Sequence, residues 1–398
     1  MDDAILPDEA ANQARRGVRS DAPWSNAGGK LAMPRSRDPE LRIALVGCGE
    51  VCEWKHLPAL RRVHGARVVA VADVDATRRA QVGDRFGIER RYADVAELVA
   101  ADVANLIGIL VPPAQHAAAA LTAIAAGVHV LVEKPVALTL DDADILVAAA
   151  RGASGRVFMG HHMRWHRLVR QARDLVRQGG LGALESIHAT WNSPRDDEGT
   201  PAWKWHRATG GGALVEIGVH IADLWRFLLD TDARDVHATV RHGRRDDEAA
   251  VMTAQLANGM LASASLSERA GHAFEFDVCG DAGRLHVAGQ RFDGLERYAT
   301  GESDGMPGLR LRHLAGFLRE LPGGLVRMRQ LGDYGDSYRG MWQHAVDAIG
   351  GGLPAECTLE DGREALRIVL AAAAAAECGR PVRVDDAPRR IAAVADRH

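Results

Sequence analysis

The stretch that decides the fold is Leu41-Arg42-Ile43-Ala44-Leu45-Val46-Gly47-Cys48-Gly49-Glu50-Val51-Cys52. Its first six residues form an almost continuous apolar run, which is typical of a strand buried on both faces of a parallel sheet. The first glycine after the run permits a tight turn, and the second lets the backbone approach a pyrophosphate at a helix N-terminus. In the dinucleotide-binding motif G-x-G-x-x-G, the third glycine position requires only a small side chain, and here it is occupied by Cys52. We predict a dinucleotide-binding loop formed by Gly47, Gly49, Glu50 and Val51.

An acidic residue follows at the spacing that such a loop requires. Asp73 ends the next apolar run, 26 residues after Gly47. A carboxylate at this place accepts hydrogen bonds from the adenosine ribose hydroxyls. It repels a 2′-phosphate, and Val74 and Asp75 follow it where an arginine would be needed to bind one. The sequence favours NAD over NADP. The alternative is that Asp73 caps a helix and the glycines only turn the chain.

Apolar runs and helical patterns alternate through the first part of the chain. The runs lie at 67–72, 105–111, 128–132 and 156–159, and the helical patterns lie near 50–64, 76–86, 114–126 and 139–151. This alternation predicts a doubly wound α/β sheet, with a dinucleotide-binding domain over residues 41–160. Residues 1–40 combine prolines and charges without an apolar period, and we predict a flexible N-terminal arm there.

The later part of the chain changes to a period of two. Alternating segments lie at 184–191, 235–242, 249–256, 260–267 and 274–279, and they predict an antiparallel sheet. Asn258-Gly259 predicts a two-residue type I′ hairpin, in which both central residues have positive φ. Residues 289–335 show no clear period, and helical patterns follow at 336–350 and 359–378. We predict a second α/β domain over 161–385 and a tail over 386–398.

Composition excludes several classes of protein. Lys and Arg total 49 against 53 Asp and Glu, a net charge of −4 that argues against nucleic acid as a partner. No apolar run reaches the ~18 residues of a membrane span, so no membrane partner is expected. Five cysteines, an odd number in a large chain, do not indicate a secreted disulfide framework. Arg15-Arg16 lacks the apolar segment of an export signal, so we predict a cytoplasmic protein.

Two separate segments carry candidate catalytic groups. Glu133-Lys134-Pro135 follows the run at 128–132, at the carboxyl edge of a parallel sheet, where ligands bind. Further on, Gly210-Gly211-Gly212 leads into an apparent helix with Glu216 and His220 four residues apart and therefore on one face. A carboxylate beside an imidazole forms an oriented acid/base pair. Both residues could instead have purely structural roles. Lys134 could form a salt bridge, and Glu216 could be a carboxylate that stabilises the start of the helix.

Taken together, these motifs resemble the Gfo/Idh/MocA family, which includes glucose-fructose oxidoreductase and inositol dehydrogenase. The resemblance covers residues 41–384. Its markers, in order, are Val46-Gly47-Cys48-Gly49, Ala72-Asp73, Val111-Pro112-Pro113 with His116, the segment 126–135 ending in Glu133-Lys134-Pro135, and Gly210-Gly211-Gly212 with His220 and Asp223. The resemblance implies an N-terminal Rossmann domain and a C-terminal α/β domain with a large, mostly antiparallel open sheet. In relatives this sheet commonly packs against another subunit, which implies a homodimer or homotetramer.

The resemblance also implies an activity and a set of site residues. Members typically move a hydride between NAD and a carbinol carbon of a sugar, sugar derivative or cyclitol, without a metal. By resemblance, His220 is the general base and Lys134 binds the reacting oxygen, while Glu216 replaces the family's usual Asp. Pro112, His116 and Glu133 are expected at the cofactor together with Lys134, and Arg164 is expected at the substrate or the cofactor.

Substrate contacts are harder to predict from the sequence. Trp191, Trp203 and Trp205 flank the loop that leads into the glycine run. Their indole rings suit the apolar face of a sugar, although packing at the domain junction stays open. His161, His162 and His166 are not expected to bind metal, because the adjacent pair cannot share a helix face. Two other functions stay open. One is glycosidic cleavage by transient oxidation, with Glu216 as an extra acid or base, and the other is a non-catalytic dinucleotide sensor.

Overall fold

The first sheet is parallel and has six strands. A computed structural model describes residues 41–303 and 305–391; the predicted arm at 1–40 and the end of the tail lie outside these ranges. The strands are β1 (Leu41–Val46), β2 (Ala66–Ala72), β3 (Arg90–Tyr92), β4 (Leu106–Ile109), β5 (His129–Glu133) and β6 (Val157–Gly160). They lie in the order β3-β2-β1-β4-β5-β6. The order reverses between β1 and β4, which opens a ligand crevice at their carboxyl ends. The predicted Rossmann domain is confirmed.

Helices cover both faces of this sheet because successive residues of each buried strand point to opposite sides. Ile43 and Leu45 pack in one core cluster, and Ala44 and Val46 pack in the other. The helices are α1 (Leu57–Leu60), α2 (Ala76–Phe86), α3 (Val95–Ala100), α4 (His116–Ala125) and α5 (Leu140–Arg151). Asp75 caps α2 by accepting the amides of Thr77 and Arg78. The alternative that Asp73 caps this helix is therefore wrong.

The helix that follows the glycine loop is shorter and less regular than predicted. The pattern at 50–64 predicts one helix, but Cys52–His56 form a π-helical turn before α1 begins. Such turns insert an extra residue and are frequent at functional sites. The turn directs His56 into the core, where its Nε2 lies 3.0 Å from Glu133 Oε1 and its Nδ1 accepts the Trp342 indole proton.

The second sheet has eight strands and is mostly antiparallel, as predicted. Its strands are β7 (Leu184–Asn192), β8 (Ala233–Arg241), β9 (Ala249–Leu256), β10 (Leu261–Ser267), β11 (Ala273–Gly280), β12 (Gly283–Ala288), β13 (Leu295–Ala299) and β14 (Val382–Arg383). They lie in the order β13-β12-β11-β7-β10-β9-β8-β14, and only β7 and β10 pair in parallel. Helices α6 (Arg167–Arg177), α7 (Gly212–Glu216) and α8 (Gly218–Leu229) complete this part of the fold.

The turn between β9 and β10 differs from the prediction. The hairpin is present, but only Gly259 has a positive φ, at +90°, whereas a type I′ turn also needs one at Asn258. The Gly259 amide donates to the Leu256 carbonyl, and the Leu256 amide donates to Met260. This is a three-residue loop, a type I turn followed by a glycine bulge. The Asn258 side chain accepts the Met260 amide instead of adopting the left-handed conformation.

Three long helices end the described chain: α9 (Pro307–Arg329), α10 (Gly332–Gly351) and α11 (Leu359–Cys378). The region without a sequence period contains β13 and α9. Helix α9 has few core-facing positions, with Leu309 and Gly324 as its buried residues. Helix α10 returns to the first sheet, where Trp342 joins the cluster of Ile43 and Leu45. None of the described helices is both long and apolar enough to cross a membrane.

The described part of the predicted tail packs against the first domain. The Arg389 guanidinium forms ion pairs with Asp141 and Asp144 on α5, and its carbonyl accepts the Leu140 amide. Ile391 is 9% exposed and belongs to the core. Both α10 and this segment bring the C-terminal end of the chain back to the N-terminal sheet. The two domains therefore share a continuous packed boundary.

Candidate active site

A cavity of about 470 Å³ lies at the carboxyl edge of the first sheet. One wall is formed by the glycine loop at Glu50 and Val51 and by the turn at Glu133 and Lys134. The opposite wall belongs to the second domain and includes His220. We call this cavity the cleft. It brings together the predicted dinucleotide loop and the predicted catalytic segments, which are far apart in the sequence.

The glycine loop has the shape that a dinucleotide requires. Gly47 has a φ of +100°, and a Cβ built there would lie 2.6 Å from the Leu110 carbonyl oxygen, so any side chain would clash. A Cβ built on Gly49 would meet nothing within 4 Å. The open space beside Gly49 is where a pyrophosphate would approach the backbone. The Asp73 carboxylate accepts the Cys48 amide at 2.7 Å, which fixes the loop against the end of β2. These residues fit NAD.

Substitution at Gly49 separates cofactor binding from folding. We expect Gly49→Val to lower the affinity for NADH at least tenfold, because the side chain would project into the space left for the pyrophosphate. Without cofactor, the free energy of unfolding should change by no more than about 0.5 kcal/mol, since no protein atom is displaced. NADH fluorescence titration and denaturant unfolding measure the two effects. Gly47→Ala is the contrasting variant and should destabilise the fold; unchanged NADH affinity in Gly49→Val would contradict the assigned loop.

The turn after β5 is fixed by buried histidines. Glu133 Oε2 accepts the Lys134 amide at 3.0 Å, while its other oxygen contacts His56. His116 Nδ1 lies 2.7 Å from the Pro135 carbonyl, and its Nε2 lies 2.8 Å from the Val111 carbonyl. Burial lowers the pKa of His116, so the neutral ring donates to one of these carbonyls. His116 thus joins two loops and does not line the cleft.

His220 faces the cleft from α8. Its ring stacks on Trp191, with centroids 4.9 Å apart and planes 22° apart, and the edge of His162 lies against it at 5.2 Å. Burial and the positive charge of Lys134 hold the pKa of His220 well below its usual range. Nδ1 is buried without a hydrogen-bond partner. The imidazole is therefore neutral at physiological pH and can accept a proton at the nitrogen that faces the cleft.

Glu216 does not pair with His220, contrary to the prediction. Helix α7 ends at Glu216 and α8 begins at Gly218, so the two residues do not share one regular helix face. Cations draw the Glu216 carboxylate away instead. Arg195 Nη2 lies 2.9 Å from Oε2, and the ammonium groups of Lys134 and Lys204 lie 3.6 and 3.7 Å from Oε1. Burial raises the pKa of Glu216, but these cations together hold it well below its usual range.

Lys134 is held at the cleft by the same helix end. Its ammonium group donates to the Glu216 main-chain carbonyl at 3.0 Å. Its side chain is 15% exposed, so one part of the ammonium group remains available to a ligand. A buried ammonium group beside a neutral imidazole can stabilise negative charge on an oxygen while the imidazole takes its proton.

Comparison with known proteins agrees with this geometry. Residues 41–161 match a family model described as "Oxidoreductase family, NAD-binding Rossmann fold", and residues 169–286 match the C-terminal domain model of the same family. The chain belongs to the Gfo/Idh/MocA family. D-apiose dehydrogenase of Paraburkholderia graminis is 34% identical over 200 residues, which are 50% of this chain and 52% of that protein. The chain thus spans about half the length of this relative.

Two further comparisons extend over more of the chain. The dTDP-3,4-didehydro-2,6-dideoxy-alpha-D-glucose 3-reductase of Streptomyces antibioticus is 30% identical over 252 residues, covering 63% of this chain and 76% of that protein. The crystal structure of an oxidoreductase domain protein from Kribbella flavida superimposes with a TM-score of 0.75 at 24% identity, covering 87% of this chain and all of that one. The second likeness concerns the fold alone.

Several residues predicted at the substrate or the cofactor do not line the cleft of this Gfo/Idh/MocA protein. Arg164 is 5% exposed, and its Nε donates to both Asp223 oxygens at 2.9 and 3.0 Å. The guanidinium of Arg164 is held in this buried ion pair and does not line the cleft. Trp203 and Trp205 do not line the cleft either, while Lys204 between them does. Pro112 lies on the loop after β4, outside the cleft.

Other residues that line the cleft were not predicted as ligands. Arg195 follows β7, Lys204 lies in the short helical turn Ala202–Trp205, and Tyr334 comes from the start of α10. Burial raises the pKa of Tyr334 to about 12, so it stays a neutral hydrogen-bonding group. The position of Lys204 in the sequence, shortly before Gly210-Gly211-Gly212, could have pointed to it. In the structure Gly211 packs on Lys204: a Cβ at Gly211 would lie 2.1 Å from the Lys204 carbonyl oxygen.

A buried carboxyl group supports the loop that carries Lys204. Asp247 is fully buried, and its side-chain oxygens make no hydrogen bond. Arg207 Nη1 lies 3.5 Å away, and His242 Nδ1 lies 3.3 Å away but accepts the Asp247 amide and so donates nothing to the carboxylate. Burial raises the pKa of Asp247 from 3.8 to about 6. Its main-chain carbonyl accepts the Ala213 amide at the start of α7.

The contribution of Asp247 to stability should therefore decrease with pH in an acidic window. The folded state binds an additional proton at Asp247 between about pH 4 and about pH 6, so this group's contribution to the free energy of unfolding falls as pH rises through that window. We expect the Tm of the wild type, relative to that of Asp247→Asn, to fall over the same window. Asp230→Asn, which changes an exposed residue, is the matched control. Identical Tm profiles for wild type and Asp247→Asn would contradict this assignment.

Proposed function

We propose that the protein is an NAD-dependent oxidoreductase that transfers a hydride between nicotinamide and a secondary alcohol or ketone of a sugar, sugar derivative or cyclitol. The observation that carries this proposal is the meeting of Lys134 and neutral His220 in one cleft, beside the glycine loop. The names of the relatives, which are sugar dehydrogenases and reductases, support the substrate class.

In the direction of oxidation, the residues of the chain handle the oxygen and its proton. The Lys134 ammonium group donates to the substrate hydroxyl and stabilises the negative charge that grows on it. His220 takes the hydroxyl proton and becomes an imidazolium ion. When bound, the nicotinamide ring supplies the hydride acceptor, or the donor in the reverse direction. In reduction, the imidazolium ion of His220 returns the proton to the carbonyl oxygen. Trp191, stacked on the ring, keeps His220 oriented.

The other two functions have less support. Glycosidic cleavage with Glu216 as the extra acid needs a protonated carboxyl group, but three neighbouring cations hold this carboxyl ionised. As the extra base, Glu216 is weak, because the same cations hold its pKa well below its usual range. A non-catalytic sensor would not need an ammonium group and a neutral imidazole at the same cleft. The position of Asp73 at the end of β2, with Val74 and Asp75 after it, supports NAD as the preferred cofactor over NADP.

The assembly and the compartment are part of the same proposal. The resemblance implies a homodimer or homotetramer, which sedimentation of the purified protein would establish. We propose that the protein acts in the cytoplasm, where its cysteines, all free in the described residues, stay reduced.

The test of the function is reduced-nicotinamide absorbance with NAD or NADP and a panel of hexoses, sugar acids, glycosides and inositols, with product analysis for each compound. We expect NADH to accumulate with at least one compound, and turnover to be faster with NAD than with NADP. Product without net NADH would establish the cleavage function in its place. Cofactor binding without turnover of any panel member would favour the sensor.

A further inference from the structure

The distribution of lysine in this chain is unusual. The sequence contains 45 arginines but only four lysines, at positions 30, 55, 134 and 204. Lys55, Lys134 and Lys204 all line the cleft. Arginine serves as the cation almost everywhere else in the chain, so the retained lysines coincide with the site where ligands bind. A lysine offers a compact point charge to a ligand, whereas arginine imposes a planar fork.

Among the described residues, four cations and three carboxylates line the cleft, and the carboxylates are unevenly placed among the cations. Besides the three lysines, Arg195 lines the cleft. Of the lining carboxylates, Glu133 is bonded to His56, and Glu50 is exposed at the glycine loop. Glu216 lies among the cations and is shared by three of them. Glu268, which does not line the cleft, also pairs with Arg195, at 3.1 Å. Arg195 is therefore held by two carboxylates, and the incompletely matched positive charge is that of the lysines.

Two of these lysines are incompletely paired. Lys204 is largely buried, and its carboxylate contact in the described residues is the shared one to Glu216, at 3.7 Å. Lys55 forms no ion pair in the described residues and lies over the Tyr334 ring at 5.2 Å. Burying a charge without a full partner costs free energy, which a bound anion would recover.

The position of the excess charge defines where the anion would lie. The ammonium groups of Lys134 and Lys204 are both within 4 Å of Glu216 Oε1, so they are at most about 7 Å apart. Lys134 binds the reacting hydroxyl in the proposed function. An anionic group recognised by Lys204 would therefore lie within one sugar ring of the oxidised carbon, which is the separation of carbinol and carboxylate in a sugar acid.

We propose that the substrate is a sugar acid, a uronate or aldonate, whose carboxylate is bound by Lys204. This inference rests on the proposed function and names its substrate class. Lys204 is a specificity-determining residue that contacts the carboxylate and takes no part in proton transfer. A carboxylate is a compact anion with a single charge. It suits a cleft of about 470 Å³, because this cleft must also admit the nicotinamide end of the cofactor.

The test compares acids with their neutral parents on the full chain. The probes are D-glucuronate, D-galacturonate and D-gluconate, against D-glucose and D-galactose, with D-glucose 6-phosphate as the alternative anion. Turnover with NAD and calorimetric binding to the enzyme with NADH are both measured. We expect kcat/KM for at least one acid to exceed that of its neutral parent at least tenfold, with a KM that rises with salt because the contact is ionic.

Variants at Lys204 show whether this residue binds the substrate carboxylate. Lys204→Met removes the charge at similar length, and Lys204→Arg retains it as the matched control. We expect Lys204→Met to reduce the preference for acid over neutral sugar at least tenfold, mainly through KM, and Lys204→Arg to preserve most of it.

Each other result has a defined meaning. Equal or better use of neutral sugars, preference for the phosphate ester, an unchanged preference in Lys204→Met, or no binding of any acid would overturn the sugar-acid proposal. Oxidation of a neutral sugar would in that case leave the oxidoreductase function intact. Calorimetric binding of an acid that is lost in Lys204→Met, without turnover of any panel member, would support the carboxylate site and overturn the oxidoreductase function.

Discussion

Replacement of His220 by alanine is expected to lower kcat/KM by about 10² to 10⁴-fold in both directions, the usual contribution of a positioned general base. The ring lies between Trp191 and His162 at the cleft and is the group placed to take the hydroxyl proton. NADH binding should change little, because the glycine loop is formed by other residues. Steady-state kinetics together with NADH titration measure the two quantities on the same preparation.

The pH profile adds a second readout for His220. Oxidation needs the neutral ring, and burial together with Lys134 holds its pKa well below 6.5. The oxidation rate should therefore stay level as pH falls to 6.5 and decline only at lower pH. His188→Ala removes an exposed histidine on β7, whose Nδ1 contacts Ser263, and serves as the control with unchanged kinetics. A His220→Ala enzyme that retained wild-type turnover would rule out the proposed base.

Replacement of Lys134 by methionine should lower kcat by about 10² to 10³-fold, the effect of removing one stabilising donor from a developing oxyanion. Folding should be affected less, since Arg195 and Lys204 remain beside Glu216. A structural role alone would not change the titration of His220. Lys134 lowers the pKa of His220, so its removal should move the acid limb of the oxidation profile to higher pH.

Lys134→Arg is the matched control for charge. The guanidinium keeps the positive charge near His220, so the acid limb should stay close to its wild-type position. Turnover should still fall, because a planar fork does not replace the ammonium group that donates to the reacting oxygen. A Lys134→Met enzyme with normal kcat, or with an unshifted acid limb, would show that Lys134 acts on neither the reacting oxygen nor His220.

Local sequence was sufficient to predict those features whose conformation depends on residues close together in the chain. The apolar run before Gly47 predicted β1, and the glycine spacing predicted a loop open at Gly49, because both depend on backbone conformation within a few residues. Asp73 at the end of β2 was predicted for the same reason. The alternation of strands and helices predicted the six-stranded parallel sheet, and the period of two predicted the second sheet.

Long-range charge pairing was not readable from the sequence. Arg164 matched a family position, but the fold brings Asp223 to it from 59 residues away and buries the pair. Glu216 is four residues before His220, yet the helix break at Ile217 and three cations from other segments separate them. Ion pairs form between groups whose distance is set by the whole fold, so spacing along one helix was an insufficient guide.

By itself, the sequence determined the dinucleotide loop, the alternating first domain, the antiparallel second sheet, and Lys134 and His220 as candidate catalytic groups. Tertiary structure alone decided which side chains line the cleft. Helix α10 brings Tyr334 to it, the segment after β7 brings Arg195, and the turn before the glycine run brings Lys204. Of the three tryptophans that the sequence offered, only Trp191 lines the cleft among the described residues. Backbone pattern is a local property, encoded by propensity and periodicity. The charge and shape of a cleft arise from segments that become neighbours only when the core is packed.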